Sequence, residues 1–355
     1  MRICIVLGTR PEIIKMAPII RECEKRGTDY FIIHTGQHYD YNMDKVFFED
    51  LKLPKPEYNL DVGSGFYGEQ LNKMITELKD VFNKEKPDIV LVLGDTSTTL
   101  AGALAAHKLG IKVGHIESGL RSYEIMFEEV HRVISGIIGD YLFVPTKGAK
   151  NNLLKEGIDE NKIFVTGNTI VDATYQNIKL TNNKILEELG LKPNDYIVIT
   201  AHRPEYVDKK DELSNILKAL EILSNKHQIV FPLHPRTRKN IERFNLKIPE
   251  KVRVIEPIGY LDFLSLMNNS KLILTDSGGV QEESCIIKKP CVTLRNATER
   301  PETVEVGSNM IAGTDPDKII ECVDKMLNKE RTWNNPFGDE NSGKKILDIL
   351  EKLPS

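Results

Sequence analysis

The sequence predicts an α/β protein made of two Rossmann-like domains with a central cleft. Three observations carry that reading. Short β-branched apolar runs alternate with longer amphipathic ones along the 355 residues. The apolar runs lack in-out alternation, so both faces of their sheets are covered, as in parallel βαβ arrays. The chemically active residue types gather just past the carboxyl ends of these runs, where open α/β sheets bind ligands. At roughly 100–200 residues per domain, the length asks for two.

The first series of strands reads "RICIVLG", "YFIIHTG", "DIVLVLGD", "KVGHIES" and "DYLFVPT". Amphipathic stretches at 13–26, 70–86, 97–109 and 128–139 supply the helices between them. "KIFVTGNT" and the helix after it close this series, giving an N-terminal domain over residues 1–172. The polar stretch "KLTNNKILEELGLKPND" leads into a second series, "YIVIT", "QIVFPLH", "VRVIEP", "LILTD" and "PCVTL", which fills a C-terminal domain over 173–340. After the Gly/Asn/Pro-rich "TWNNPFGDENSG", the amphipathic segment 341–355 is placed to cross back onto the first domain.

Composition narrows the function. A net charge of −4 offers no basic surplus for a nucleic-acid face. The apolar runs are strand-length, short of a membrane span, and no charged leader precedes an apolar one. The five cysteines, Cys4, Cys23, Cys285, Cys291 and Cys322, are odd in number and form no Cys-x-x-Cys pair. That is reduced, cytoplasmic usage with neither a disulfide frame nor a zinc site. No grouped His/Cys/Asp set appears, so no metal is expected.

Several strand ends carry residues that a buried strand does not need. Glu117 follows the apolar step 111–113 and "GHI", with no helix starting at Ser118 to employ it. Glu128 and Glu129 open a helix, where acids are ordinary, and only one of them can face the cleft. Asp95 suits a ligand role and an N-cap for the helix at 97–109 equally well. In "GTRPEIIK", Arg10 and Lys15 stand beside a helix start, which favours acids, so an anionic ligand is the better reason for two cations. "LTDSGGVQEES" runs from strand through Ser277-Gly278-Gly279 into a helix carrying Glu282 and Glu283. Free N–H groups and close-approach glycines there suit a diphosphate, and Glu283 suits a ribose diol. Ser277 as a mere helix cap is the alternative. His202 and His234 end strands of the second series. "GSGFYG" at 63–68 matches G-x-G-x-x-G, but it follows a poor strand, and Asp88 begins a strand where a ribose ligand should end one. No NAD is expected there.

Taken together, "GTRPEIIKMAP", "TGQHYD", "LVLGDTSTTLAGALAA", "VGHIESGLR", "EEVHR", "TGNTIVDA", "TAHRPE" and "LTDSGGVQEE" with "LRNATERPE" resemble the non-hydrolysing UDP-N-acetylglucosamine 2-epimerases. The resemblance spans nearly the whole chain. It implies a GT-B-like fold, interconversion of UDP-GlcNAc with UDP-ManNAc, no cofactor and a homodimer. It implies that Arg10, Lys15, Asp95, Glu117, Glu128 and His202 surround the sugar and diphosphate. It further implies that Ser277, Gly278, Gly279, Glu283 and Arg300 hold the nucleotide while Phe263 stacks on uracil. Departures stand at Phe127 and His131, where Pro and Asn are common, at Pro204 and Ile258, and at Tyr39, which replaces an arginine near a second, activating sugar-nucleotide site of bacterial members. Similar motifs occur in epimerases of UDP-2,3-diacetamido-glucuronic acid, and a GT-B glycosyltransferase would share the fold.

That substrate class explains the carboxylates. The hydrogen on C2 is not beside a carbonyl, so a base must remove it while UDP leaves C1, giving a 2-acetamidoglucal. UDP then re-adds after a proton reaches the other face. Cations and helix N–H groups stabilise the departing diphosphate. More than one acid/base group is needed, and Asp95, Glu117 and Glu128 are the candidates.

Overall fold

The computed structural model describes residues 1–36, 41–63, 65–121 and 127–352. The chain divides into two compact units. Unit 1 holds Met1–Gln176 and Phe337–Ser355, and unit 2 holds Asn177–Pro336.

In unit 1 the strands are β1 (Ile3–Leu7), β2 (Tyr30–His34), β3 (Tyr58–Asn59), β4 (Ile89–Leu93), β5 (Lys112–Ile116), β6 (Tyr141–Val144) and β7 (Ile163–Val165). They form one parallel sheet in the order β3-β2-β1-β4-β5-β6-β7. The first five helices are α1 (Arg10–Arg26), α2 (Tyr41–Asp50), α3 (Tyr67–Glu85), α4 (Ser97–Lys108) and α5 (Phe127–Ile138). Strands such as β1 and β4 are buried at every position, which is why their sequences are unbroken Ile/Val/Leu runs. The core on one face joins Val6, Ile33, Met74, Leu78, Val92 and Ala105.

The C-terminal helix Ser342–Leu350 belongs to this unit. The Asp172 carboxylate accepts the Ser342 and Gly343 N–H groups at 3.2 and 3.0 Å. Arg26 of α1 pairs with Asp348 at 2.7 Å and Glu351 at 2.9 Å.

Two elements differ from the sequence reading. "LPKPEYNLDV" contributes the two-residue strand β3. The helix expected at 70–86 begins at Tyr67, so the second half of "GSGFYG" forms its first turn. Glycine's low helix propensity hid that start.

Unit 2 repeats the plan with β8 (Tyr196–Thr200), β9 (Gln228–Pro232), β10 (Val252–Ile255), β11 (Leu272–Thr275), β12 (Cys291–Thr293) and β13 (Asn309–Ile311). Their parallel order is β10-β9-β8-β11-β12-β13. In both sheets the order reverses beside the first strand of the unit. Ligands of open α/β sheets bind outside that reversal, here past β1 and β4 in unit 1 and past β8 and β11 in unit 2.

Candidate functional site

In unit 1 the loops leaving β1 and β4 are tied together at the reversal by Glu12, which is fully buried. Its carboxylate accepts the Gly8 and Thr9 N–H groups at 2.9 and 2.8 Å and the Thr96 hydroxyl at 2.6 Å. Burial raises the Glu12 carboxyl above its ordinary range, while these hydrogen bonds oppose the rise. Gly8 admits no side chain: a Cβ there would stand 2.1 Å from the Thr35 hydroxyl and 2.3 Å from that of Thr98.

Glu117, at the end of β5, has φ of +60°, a left-handed conformation that costs a non-glycine residue about 1–2 kcal/mol. Its carboxylate receives the Lys15 ammonium at 2.6 Å, and both side chains are buried. Strain of this kind persists where surrounding structure over-determines it. Lys15, read from sequence as a cation for an anionic ligand, thus has a protein carboxylate as its partner. Arg10 lies with its guanidinium 5.2 Å from the Phe47 ring centroid.

Asp95 does not cap α4; Thr96 does, accepting the Thr99 N–H at 3.1 Å. The Asp95 carboxylate is held by Arg132, and its main-chain carbonyl accepts from His131 Nδ1 at 2.8 Å. With Nδ1 donating, His131 Nε2 accepts the Tyr67 hydroxyl at 2.6 Å, and the two rings stack. Of the two acids opening α5, Glu129 turns to Arg132 at 3.1 Å, whereas exposed Glu128 lines a pocket of about 370 Å³. Asp95, Tyr67, Thr96 and His131 line it too. Residues 122–126, between Glu117 and this helix, and Gln37, His38 and Tyr39 lie outside the described residues.

In unit 2 the reversal is bridged by the buried Asp276, whose Oδ2 accepts the His202 and Arg203 N–H groups at 2.6 and 2.7 Å. Its Oδ1 lies 3.4 Å from His202 Nδ1. The His202 ring also sits 5.4 Å from that of His234, whose pKa is lowered by burial and by His202. Ser277 occupies the N-cap of the helix Gly278–Ile286, yet its side chain makes no capping hydrogen bond. The first N–H groups of any helix have no partner within it, so Gly278 and Gly279 present donors to an anion.

The two acids on this helix divide their work. Glu282 pairs with Arg300 Nε at 2.6 Å, and Glu283 accepts the Tyr260 hydroxyl at 2.7 Å. Phe263, half-buried, packs against apolar side chains including Leu266 and Met267.

The structure therefore gathers Lys15, Glu117, Asp95 and Glu128 around the unit 1 reversal, and His202, Ser277 to Gly279, Glu283 and Arg300 around that of unit 2. Glu12, Tyr67 and Tyr260 join these clusters without a sequence signal, whereas His131, Arg132 and Asp276 stand in the motifs with no role assigned to them. For His131 and Arg132 the signal was present in "EEVHR"; for Asp276 it was the acid preceding Ser-Gly-Gly. Among the described residues no group of three His, Cys, Asp or Glu side chains is arranged to hold a metal. No described helix is long and apolar enough to cross a membrane.

Two Rossmann-ordered sheets, one with a buried lysine–carboxylate pair past its strand ends and the other with a glycine-led helix terminus, define a nucleotide-handling α/β protein. The family model for UDP-N-acetylglucosamine 2-epimerase matches residues 21–351. The enzyme of that name from Methanocaldococcus jannaschii is 55% identical over 361 residues, 99% of each chain. A crystal structure of UDP-GlcNAc 2-epimerase from that organism, in complex with UDP-GlcNAc and UDP, aligns with TM-score 0.90 over 99% of both chains. The Neisseria meningitidis UDP-GlcNAc 2-epimerase bound to UDP-GlcNAc aligns with TM-score 0.90 at 37% identity, over 99% of this chain and 100% of that one. The chain belongs to the UDP-N-acetylglucosamine 2-epimerase family.

Proposed function

We propose that the chain interconverts UDP-GlcNAc and UDP-ManNAc by eliminating UDP to a 2-acetamidoglucal and adding it back. The observation that carries this is Glu117, a carboxylate held in a left-handed backbone at the carboxyl end of β5 and set against Lys15. Glu117, Asp95 and Glu128 move protons at C2, since loss from one face and return to the other needs more than one group. Lys15 orients Glu117, Arg10 adds positive charge for the departing diphosphate, and His202 stands beside it as a hydrogen-bonding ring. Ser277, Gly278 and Gly279 hold the diphosphate by N–H groups and helix dipole. Glu283 and Arg300 fix the ribose end, and Phe263 meets the uracil. No metal or nicotinamide takes part.

Two further expectations belong to this reading. Five buried free cysteines fit the reducing cytoplasm. The exposed apolar row Phe127, Val130 and Ile137 on α5 supports a homodimer.

Incubation with UDP-GlcNAc alone, followed by proton NMR of the anomeric region, tests the function. UDP-ManNAc should accumulate to a constant ratio. Turnover of UDP-2,3-diacetamido-glucuronic acid without turnover of UDP-GlcNAc would move the activity to the related substrate. Free UDP without a new sugar nucleotide would contradict epimerisation.

A further inference from the structure

The helix Gly278–Ile286 already has a carboxylate at its N-terminus. Glu299 Oε2 lies 3.3 Å from where a Cβ on Gly278 would stand, on the same glycine that offers its N–H to a diphosphate. The Glu299 carboxylate is gripped by both ends of the Arg295 guanidinium, at 3.2 and 2.9 Å, and the pair is largely buried. Burial alone would raise this carboxyl, but the Arg295 hydrogen bonds and the charges of Arg295, Arg300 and Arg203 bring it to about 2. Glu299 is therefore a full negative charge at any physiological pH. It also engages Arg295 in bidentate fashion.

A diphosphate on the Gly278 and Gly279 N–H groups would meet this charge. Two anions on one helix terminus repel, in a partly desolvated place where repulsion is poorly screened. The carboxylate thus opposes the ligand that the helix and arginines attract. For an enzyme that must release a UDP-sugar on every turnover, a ceiling on diphosphate affinity is useful.

We propose that Glu299 is a resident anion that limits diphosphate affinity, competing for the Gly278 terminus and sequestering Arg295. This inference rests on the reading that Ser277 to Gly279 hold the diphosphate. It assigns Glu299 a positioning role, because it acts through Arg295 and the helix terminus.

The experiment is calorimetric titration of the full chain with UDP and, separately, with uridine. Glu299→Gln keeps the shape and removes the charge, so UDP is expected to bind roughly tenfold tighter, the scale of one charge at a helix terminus. Uridine, which carries no phosphate, should bind within about twofold of the wild-type protein. Glu299→Asp retains the charge but withdraws it by one methylene. It should tighten UDP in the same direction by a smaller factor, about threefold, and it serves if the glutamine variant folds poorly. UDP binding that is unchanged or weaker in both variants overturns the proposal, making Glu299 a supporting contact. Equal tightening of uridine overturns it as well, because the effect would then be one of shape. A wild-type protein that binds uridine but gains nothing from the diphosphate overturns both this inference and the assignment of Ser277 to Gly279.

Discussion

Breaking the Lys15–Glu117 pair from either side should cost more than removing it whole. Two unit charges 2.6 Å apart attract by about 6 kcal/mol at an effective dielectric constant of about 20. Most of that offsets the desolvation of two side chains that are each less than a tenth exposed. Lys15→Met takes the Lys15 cation from a buried carboxylate, and Glu117→Gln takes the Glu117 anion from a buried ammonium. Each single change should therefore cost about 3 kcal/mol, and the double variant about 3 kcal/mol or less in total. The assay is urea unfolding by circular dichroism, with fluorescence of the single tryptophan, Trp333, as a second probe of whether the transition is single. All three variants should lose epimerisation, while UDP binding through unit 2 changes by less than about tenfold, or 1.4 kcal/mol. Additivity within about 0.5 kcal/mol would refute the coupled pair. Wild-type turnover by Glu117→Gln would refute its place in the chemistry.

Other outcomes follow from single contacts. His115 is buried with Nε2 on the Gly94 carbonyl and, among the described residues, no partner for Nδ1, and burial lowers its pKa from 6.5 to about 4. The folded state holds the neutral ring, so its contribution is complete above pH 6.5 and is lost as pH falls towards 4, by about 3 kcal/mol in all. The difference in stability between wild type and His115→Gln should show that loss across this window; a difference that does not vary with pH would contradict it. Tyr67→Phe removes the hydroxyl from His131 Nε2 and should cost about 1 kcal/mol in urea unfolding and raise KM for the sugar nucleotide. Unchanged stability and KM would deny that contact. Activity should survive EDTA and need no added NAD; loss on chelation, restored by a divalent ion, would contradict the proton-transfer route.

Much of this was legible in the sequence because it is local. The unbroken apolar runs gave the parallel sheets, and the repeated strand-helix order gave two Rossmann plans, since both depend on residues close in sequence. Family membership was legible for the same reason: its motifs are short and sit at strand ends. What the sequence hid depends on strand order. Lys15 and Glu117 are 102 positions apart and meet because β4 lies between β1 and β5 in the sheet. Asp276 reaches the His202 N–H across 74 positions because β8 and β11 are neighbours. Nor does a sequence show φ, so the left-handed backbone of Glu117 was invisible, although its carboxylate already stood out. The adjacent acids Glu282 and Glu283 point to different partners, a matter of helical phase that composition cannot set.

In this mechanism the C2 proton is removed and replaced while UDP leaves and returns. UDP-GlcNAc incubated with the protein in deuterated water, without acceptor, metal or NAD, tests it directly by mass spectrometry and proton NMR. One deuterium is expected at C2 in both UDP-GlcNAc and UDP-ManNAc, and none with Glu117→Gln. Epimerised product that keeps its C2 hydrogen would contradict it.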